Sequence, residues 1–80
     1  MAVLRLFASA RVAAGTTRAR MPGETVAAVL DAAVEAYGPD FAEVLASSAV
    51  WVNGSPAGPQ TPVCDTDEVG VLPPVSGGIG

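Results

Sequence analysis

The chain is 80 residues long and half apolar, with one cysteine, no histidine and a net charge of −4. That length allows one domain, burying about 60% of its unfolded surface, and the cysteine and histidine counts exclude an internal disulfide, a thiolate metal cluster, a Ser-His-Asp triad and a Cys-His pair. No apolar run approaches the roughly 18 residues that span a bilayer, and the start MAVLRLFASARV lacks a signal-peptide arrangement, so a soluble, cytoplasmic chain without a membrane partner is expected.

Charge is laid out unevenly. Arg5, Arg11, Arg18 and Arg20 lie in the first quarter, and every acid lies from Glu24 onward. The total makes nucleic acid a poor partner but leaves room for a local basic face. In chain order, Ala2 to Phe7 (AVLRLF) suits a central strand, with Leu4 and Leu6 on one face and Val3, Arg5 and Phe7 on the other. Ala8 to Gly15 reads as a turn of small residues, with a brief helical turn at Arg11 to Ala13. Thr16 to Met21 alternates, so it pairs with the first strand as a hairpin. Pro22-Gly23 ends that hairpin, and Thr25 is placed to cap the next helix.

Helical periodicity is clearest over Val26, Val29, Leu30, Ala33 and Tyr37, at i, i+3, i+4, i+7 and i+11, with Gly38-Pro39 as the terminator. Asp40 to Ala46 opens with an Asp-x-x-Glu pattern like a capping box, predicting a short second helix with Phe41, Val44 and Leu45 inward. Ala49 to Asn53 (AVWVN) is a strand with Trp51 opposite Val50 and Val52, followed by the turn signal Asn53-Gly54. Ser55 to Thr61 leaves room for one short irregular strand. Pro62 to Glu68 reads as a turn stabilised by Asp65 and Asp67, and the last strand begins at Val69. With Leu4, Leu6, Val50, Val52, Val69 and Val71 facing the helix, Arg5, Arg18, Arg20, Trp51 and Leu72 line the other side of the sheet. An exposed Trp among arginines has the composition of a protein interface, and the same residues also suit a Trp covering an apolar gap beside solubilising charges. Asp31, Glu35 and Asp65 read as solvated surface, Asp67-Glu68 as solvated or partner-contacting, and Cys64 as a small packing residue with no basic neighbour in sequence.

The chain closes on VGVLPPVSGGIG. Pro73-Pro74 cannot extend the strand, and Val75, Ser76, Gly77 and Gly78 have nothing to fold onto, so residues 76–80 are expected to form a flexible tail on a domain of residues 1–75. Glycines at 77 and 78 suit a tip that threads a channel too narrow for a Cβ and offers the chain's own carboxylate to an adenylating partner.

Four stretches, VLRLFASARVAAG, PGETVAAVL, VWVNG and DTDEVGVLPPVSGG, in this order and spacing, resemble the ubiquitin-like sulfur carriers, and most of all the small subunit of molybdopterin synthase. The resemblance covers nearly the whole chain. The element order agrees with it: an α+β domain of the β-grasp, or ubiquitin-like, architecture, with one main helix across a mixed sheet. It implies a carrier and no enzyme. An E1-like adenylyltransferase would use ATP to activate Gly78, sulfur would convert it to a thiocarboxylate, and a molybdopterin synthase large subunit would accept that sulfur. No cofactor or metal is implied on this chain itself. Gly77 would accompany Gly78 in the activated tip, with Pro73, Pro74, Val75, Ser76 and Leu72 gripped by the partners beside Trp51, Arg5, Arg18 and Arg20. Ile79 and Gly80 follow the diglycine, so the resemblance also implies their removal, as by a zinc metalloprotease of the JAMM type. Carriers serving cysteine, thiamine or a secondary metabolite remain open, as does a ubiquitin-like interaction module without thiocarboxylate chemistry.

Overall fold

The computed structural model describes residues 1–74, so the expected site positions Val75, Ser76, Gly77, Gly78, Ile79 and Gly80 lie outside the described residues. In chain order the elements are β1 (Ala2–Leu6), α1 (Ala8–Ala14), β2 (Arg18–Met21), α2 (Val26–Tyr37), α3 (Pro39–Ala46), β3 (Ala49–Val52), β4 (Ser55–Pro56) and β5 (Glu68–Leu72). The strands form one sheet in the order β2-β1-β5-β3-β4, with β1 and β5 parallel and every other pair antiparallel. This is the β-grasp, and its central pair joins the first strand to the last.

Burial follows the period-two pattern read from the sequence except at Val3, which was expected on the outer face with Arg5 and Phe7 and is buried. Leu4, Leu6, Val69 and Val71 are sealed beneath the helices with Val26, Val29, Ala33 and Phe41, while Val50 and Val52 pack at the margin of that core. Thr25 caps α2 as expected, its hydroxyl accepting from the Ala28 N–H at 3.2 Å. The loop after β4 satisfies further first-turn donors: Val26 donates to the Thr61 carbonyl and Ala27 to that of Pro59, both at 2.9 Å. That loop therefore does more than connect strands. Val63, expected in a turn, is buried against the core.

Three expectations change. The small-residue stretch after β1 is a full α1 rather than a turn, because ASARVAA has high helix propensity and packs against α3. Gly15 at φ 77 ends it, donating to the Arg11 carbonyl at 2.9 Å. The Asp40-x-x-Glu43 capping box does not form. Gly38 takes φ 95 and passes α2 directly into α3, Pro39 fills the first turn where its missing N–H costs nothing, and Asp40 falls inside the helix. Finally, Cys64 is exposed instead of packed.

Candidate functional site

Side chains facing away from the helices meet over the middle of the sheet. Register places Arg5 beside Gly70 on one side and Arg18 on the other, and Trp51 beside Gly70 from the opposite direction. Because Gly70 has no side chain, the surface dips there. Arg5, Phe7, Trp51, Glu68, Gly70 and Leu72 line a groove of about 400 Å³, closed at one end by the Asn53-Gly54 turn. A Cβ placed on Gly70 would lie 3.5 Å from Leu72 Cδ1 and 3.7 Å from Phe7 Cε2, so these two side chains overhang the floor. Phe7 and Leu72 are 41% and 39% exposed, unusual for large apolar residues in so small a domain.

The polar rim is fixed by internal bonds. The Arg5 guanidinium sits 5.6 Å from the Phe7 ring centre and 3.4 Å from the Glu68 carboxylate. Both charged groups of that pair are half exposed, so the pair orients Arg5 more than it stabilises the fold. At the far end, Asn53 and Gly54 adopt φ 50 and φ 84, as a two-residue hairpin turn requires. The Asn53 side chain donates to Asp67 at 2.9 Å and accepts from the Glu68 N–H at 2.9 Å, tying that turn to the start of β5. Asp67 also accepts from the Cys64 N–H at 2.9 Å. Thus Asp67 is a turn residue serving the fold, and Glu68 is engaged by Arg5. Asp65, read as solvated, pairs with the amino group of Met1.

Hydrogen bonding from Asn53, then from Cys64, holds the Asp67 carboxyl below its ordinary pKa. A carboxyl depressed in the folded state adds stability above its unfolded pKa, and that contribution disappears as pH falls through the folded value. The melting-temperature advantage of the native protein over Asp67→Asn is therefore expected to be level between about pH 5 and 7 and to shrink below about pH 4. Thermal melts of both proteins across that range check this. An advantage that persists unchanged at the acid end would contradict the assigned role.

Of the residues expected to face a partner, Arg5, Trp51 and Leu72 come together in the groove. Arg18 lies one strand away, in a second pocket with Arg5 and Arg11. Arg20 shares the same sheet face but lines neither depression; it is opposite Val3 and near Asp65. Pro73 is buried and Pro74 exposed, so the partner-facing run expected from Pro73 starts, among the described residues, with Pro74. Phe7, Gly70, Asn53 and Arg11 were not anticipated as site residues. A glycine between two core valines in a strand was the available signal for Gly70, and the shared face with Arg5 was the signal for Phe7.

Among the described residues no group of acidic, cysteine or histidine side chains could hold a metal ion, and no helix is long and apolar enough to cross a membrane. The groove combines an apolar floor and walls, a half-buried Trp and an oriented arginine, the composition found at protein interfaces; Arg5, Trp51, Gly70 and Leu72 stand on strands, and Phe7 follows β1 directly.

Comparison with known proteins finds chains of the same fold. The small archaeal modifier protein 1 of Methanosarcina acetivorans superposes with a TM-score of 0.85 at 32% identity, over 94% of this chain and 93% of that one. A putative molybdopterin converting factor subunit 1 from Pyrococcus furiosus gives 0.77 at 26% identity, over 92% and 97%. A chain of the BexX/CysO complex of Amycolatopsis orientalis gives 0.81 at 20% identity, over 95% and 98%, which shows the shared fold. Comparison with curated protein sequences gave no match. Residues 4–78 match the ThiS family. The chain belongs to the ThiS family, the β-grasp sulfur carriers and ubiquitin-like modifiers.

Proposed function

We propose that this chain carries sulfur on the carboxylate of Gly78, in molybdopterin synthesis. The observation that carries the reading is the extent of the family match, which runs through the sheet and ends at Gly78, the second glycine. The Leu72-Pro73-Pro74-Val75 run and the similarity to the Pyrococcus furiosus protein support molybdopterin as the pathway. A carboxylate is a poor electrophile. An E1-like adenylyltransferase attacks ATP with the Gly78 carboxylate, releasing pyrophosphate and forming an acyl adenylate; sulfur at the sulfide level then adds to the carbonyl and AMP leaves, giving the thiocarboxylate. The chain supplies the carbon and the docking face, and the catalytic groups are the partner's. No cofactor is needed on this chain, and its place of action is the cytoplasm.

For Gly78 to react, Ile79 and Gly80 must be removed, which we assign to a JAMM-type protease. The Phe7–Trp51–Leu72 groove is the face the adenylating enzyme grips. It adjoins the end of β5, where Phe7 donates to the Val71 carbonyl at 3.3 Å, so the recognition face lies beside the end of the last strand.

Intact mass spectrometry of the protein from its native cells tests the reading. The expected species ends at Gly78 with one oxygen replaced by sulfur. If every molecule ends at Gly80 as a plain carboxylate during growth, the carrier reading fails. The similarity to the archaeal modifier protein favours a second reading, attachment of the chain to other proteins. That would give higher-mass conjugates joined through an amide at Gly78 and no thiocarboxylate.

A further inference from the structure

Three of the four arginines of this acidic chain converge at one end of the sheet. Arg5 from β1, Arg11 from α1 and Arg18 from β2 line an open pocket of about 450 Å³, with Phe7 and Thr17 between them. Among the described residues no carboxylate lines it. Arg5 and Arg18 are direct register partners across β1 and β2, and like charges opposite each other weaken a sheet. Arg5 offsets part of this cost through Glu68. Among the described residues, Arg11 and Arg18 make no ion pair. The fold thus concentrates positive potential in a molecule of net charge −4, and among the described residues only the Arg5–Glu68 pair offsets it.

All three arginines are exposed, and they come from three different elements. An enclosed site for one small anion would bury its cations and surround the ion with donors; here the guanidinium groups instead border an open depression. Their forked donors match carboxylates arranged along a chain. The pocket also shares Arg5 and Phe7 with the apolar groove, so one partner can occupy both. We propose that this pocket receives an aspartate- and glutamate-rich segment of the protein that docks on the Phe7–Leu72 groove. Complementary charge at the edge of an apolar contact steers encounter and fixes orientation more than it adds affinity. Here it would set which way the end of β5 points on the partner. The proposal rests on the reading of the chain as a carrier held by a protein partner.

The test is an NMR titration of the uniformly ¹⁵N-labelled full chain with N-acetyl-hexaglutamate amide at low salt. Saturable amide shifts are expected at Arg5, Arg11, Thr17 and Arg18. Arg11→Gln and Arg18→Gln, both at exposed positions and checked for an unchanged fold by their dispersed spectra, are each expected to weaken binding roughly threefold, with only part of it restored in the corresponding lysine variants, which return the charge without the forked donors. Shifts without saturation, or affinities unmoved by the glutamine variants, overturn the proposal. So does inorganic phosphate binding the same amides as tightly as the peptide, because the pocket is then a small-oxyanion site. The titration needs no activation of the tail. If the native protein proves to be a plain carboxylate yet the peptide binds, the pocket stands and the carrier reading falls; a thiocarboxylate with no peptide binding overturns the pocket alone.

Discussion

Replacing Phe41 with alanine is expected to lower the unfolding free energy by about 3–5 kcal/mol, the usual range for emptying a sealed aromatic site. For 80 residues, total stability is on the order of 4–12 kcal/mol, so this one change removes a large part of it. Phe41 is fully buried at the start of α3, with its ring edge-on to Tyr37 of α2 at 5.3 Å between centres. Among the described residues no other fully buried side chain is larger, so no neighbour can refill the space without moving a helix. The consequence reaches the site, because α1 packs on α3 and carries Arg11, and Phe7 immediately precedes α1. Urea denaturation followed by circular dichroism measures the loss. A drop of less than about 1 kcal/mol would mean that the helices close over the vacancy and that Phe41 does not lock them.

The sequence shows α2 and the inner face of the sheet plainly because each is specified by a local period. Thr25, Val26, Val29 and Ala33 are read correctly because cap and stripe lie within one short window. α1 is harder to read. Seven small residues carry too little apolar pattern to separate a helix from a turn, and their helicity is settled by packing against α3, which is distant in sequence. The capping-box reading of Asp40 failed for a local reason: Gly38 at positive φ and Pro39 at the first helical position begin α3 earlier than its acidic residues suggest. The candidate site was half legible. Alternation placed Arg5, Trp51 and Leu72 on one face, but the parallel register of β1 on β5 decides which of them meet. That register spans more than sixty residues of sequence and is not written in any single stretch. It brings Phe7 against Leu72, leaves Arg20 aside and makes Gly70 the floor.

Gly70 permits the partner-docking face to be tested without damaging the fold. Its Cβ position has only ordinary van der Waals contacts, the nearest at 3.5 Å, and its backbone is not in the left-handed region. Gly70→Ala is therefore expected to leave the domain as stable or up to about 1 kcal/mol more stable, because it restricts the unfolded chain and improves strand propensity. Gly70→Ile should be equally at home in a strand, and its larger side chain projects between Phe7 and Leu72, filling the groove from the floor. Under the proposed function, an adenylating enzyme that inserts an apolar side chain there loses its seat. Thiocarboxylate formation is expected to fall tenfold or more for the isoleucine variant, which corresponds to about 1.4 kcal/mol of lost association, and by less for alanine. Intact mass of the tail in cells producing each variant reads the chemistry, and melting temperature reads the fold. The two readings must diverge: a stable Gly70→Ile protein that no longer gains sulfur locates recognition in the groove. A stable variant that is sulfurated like the native chain moves recognition off this face, and a variant that melts early is replaced by Gly70→Val, which carries the same argument with a smaller side chain.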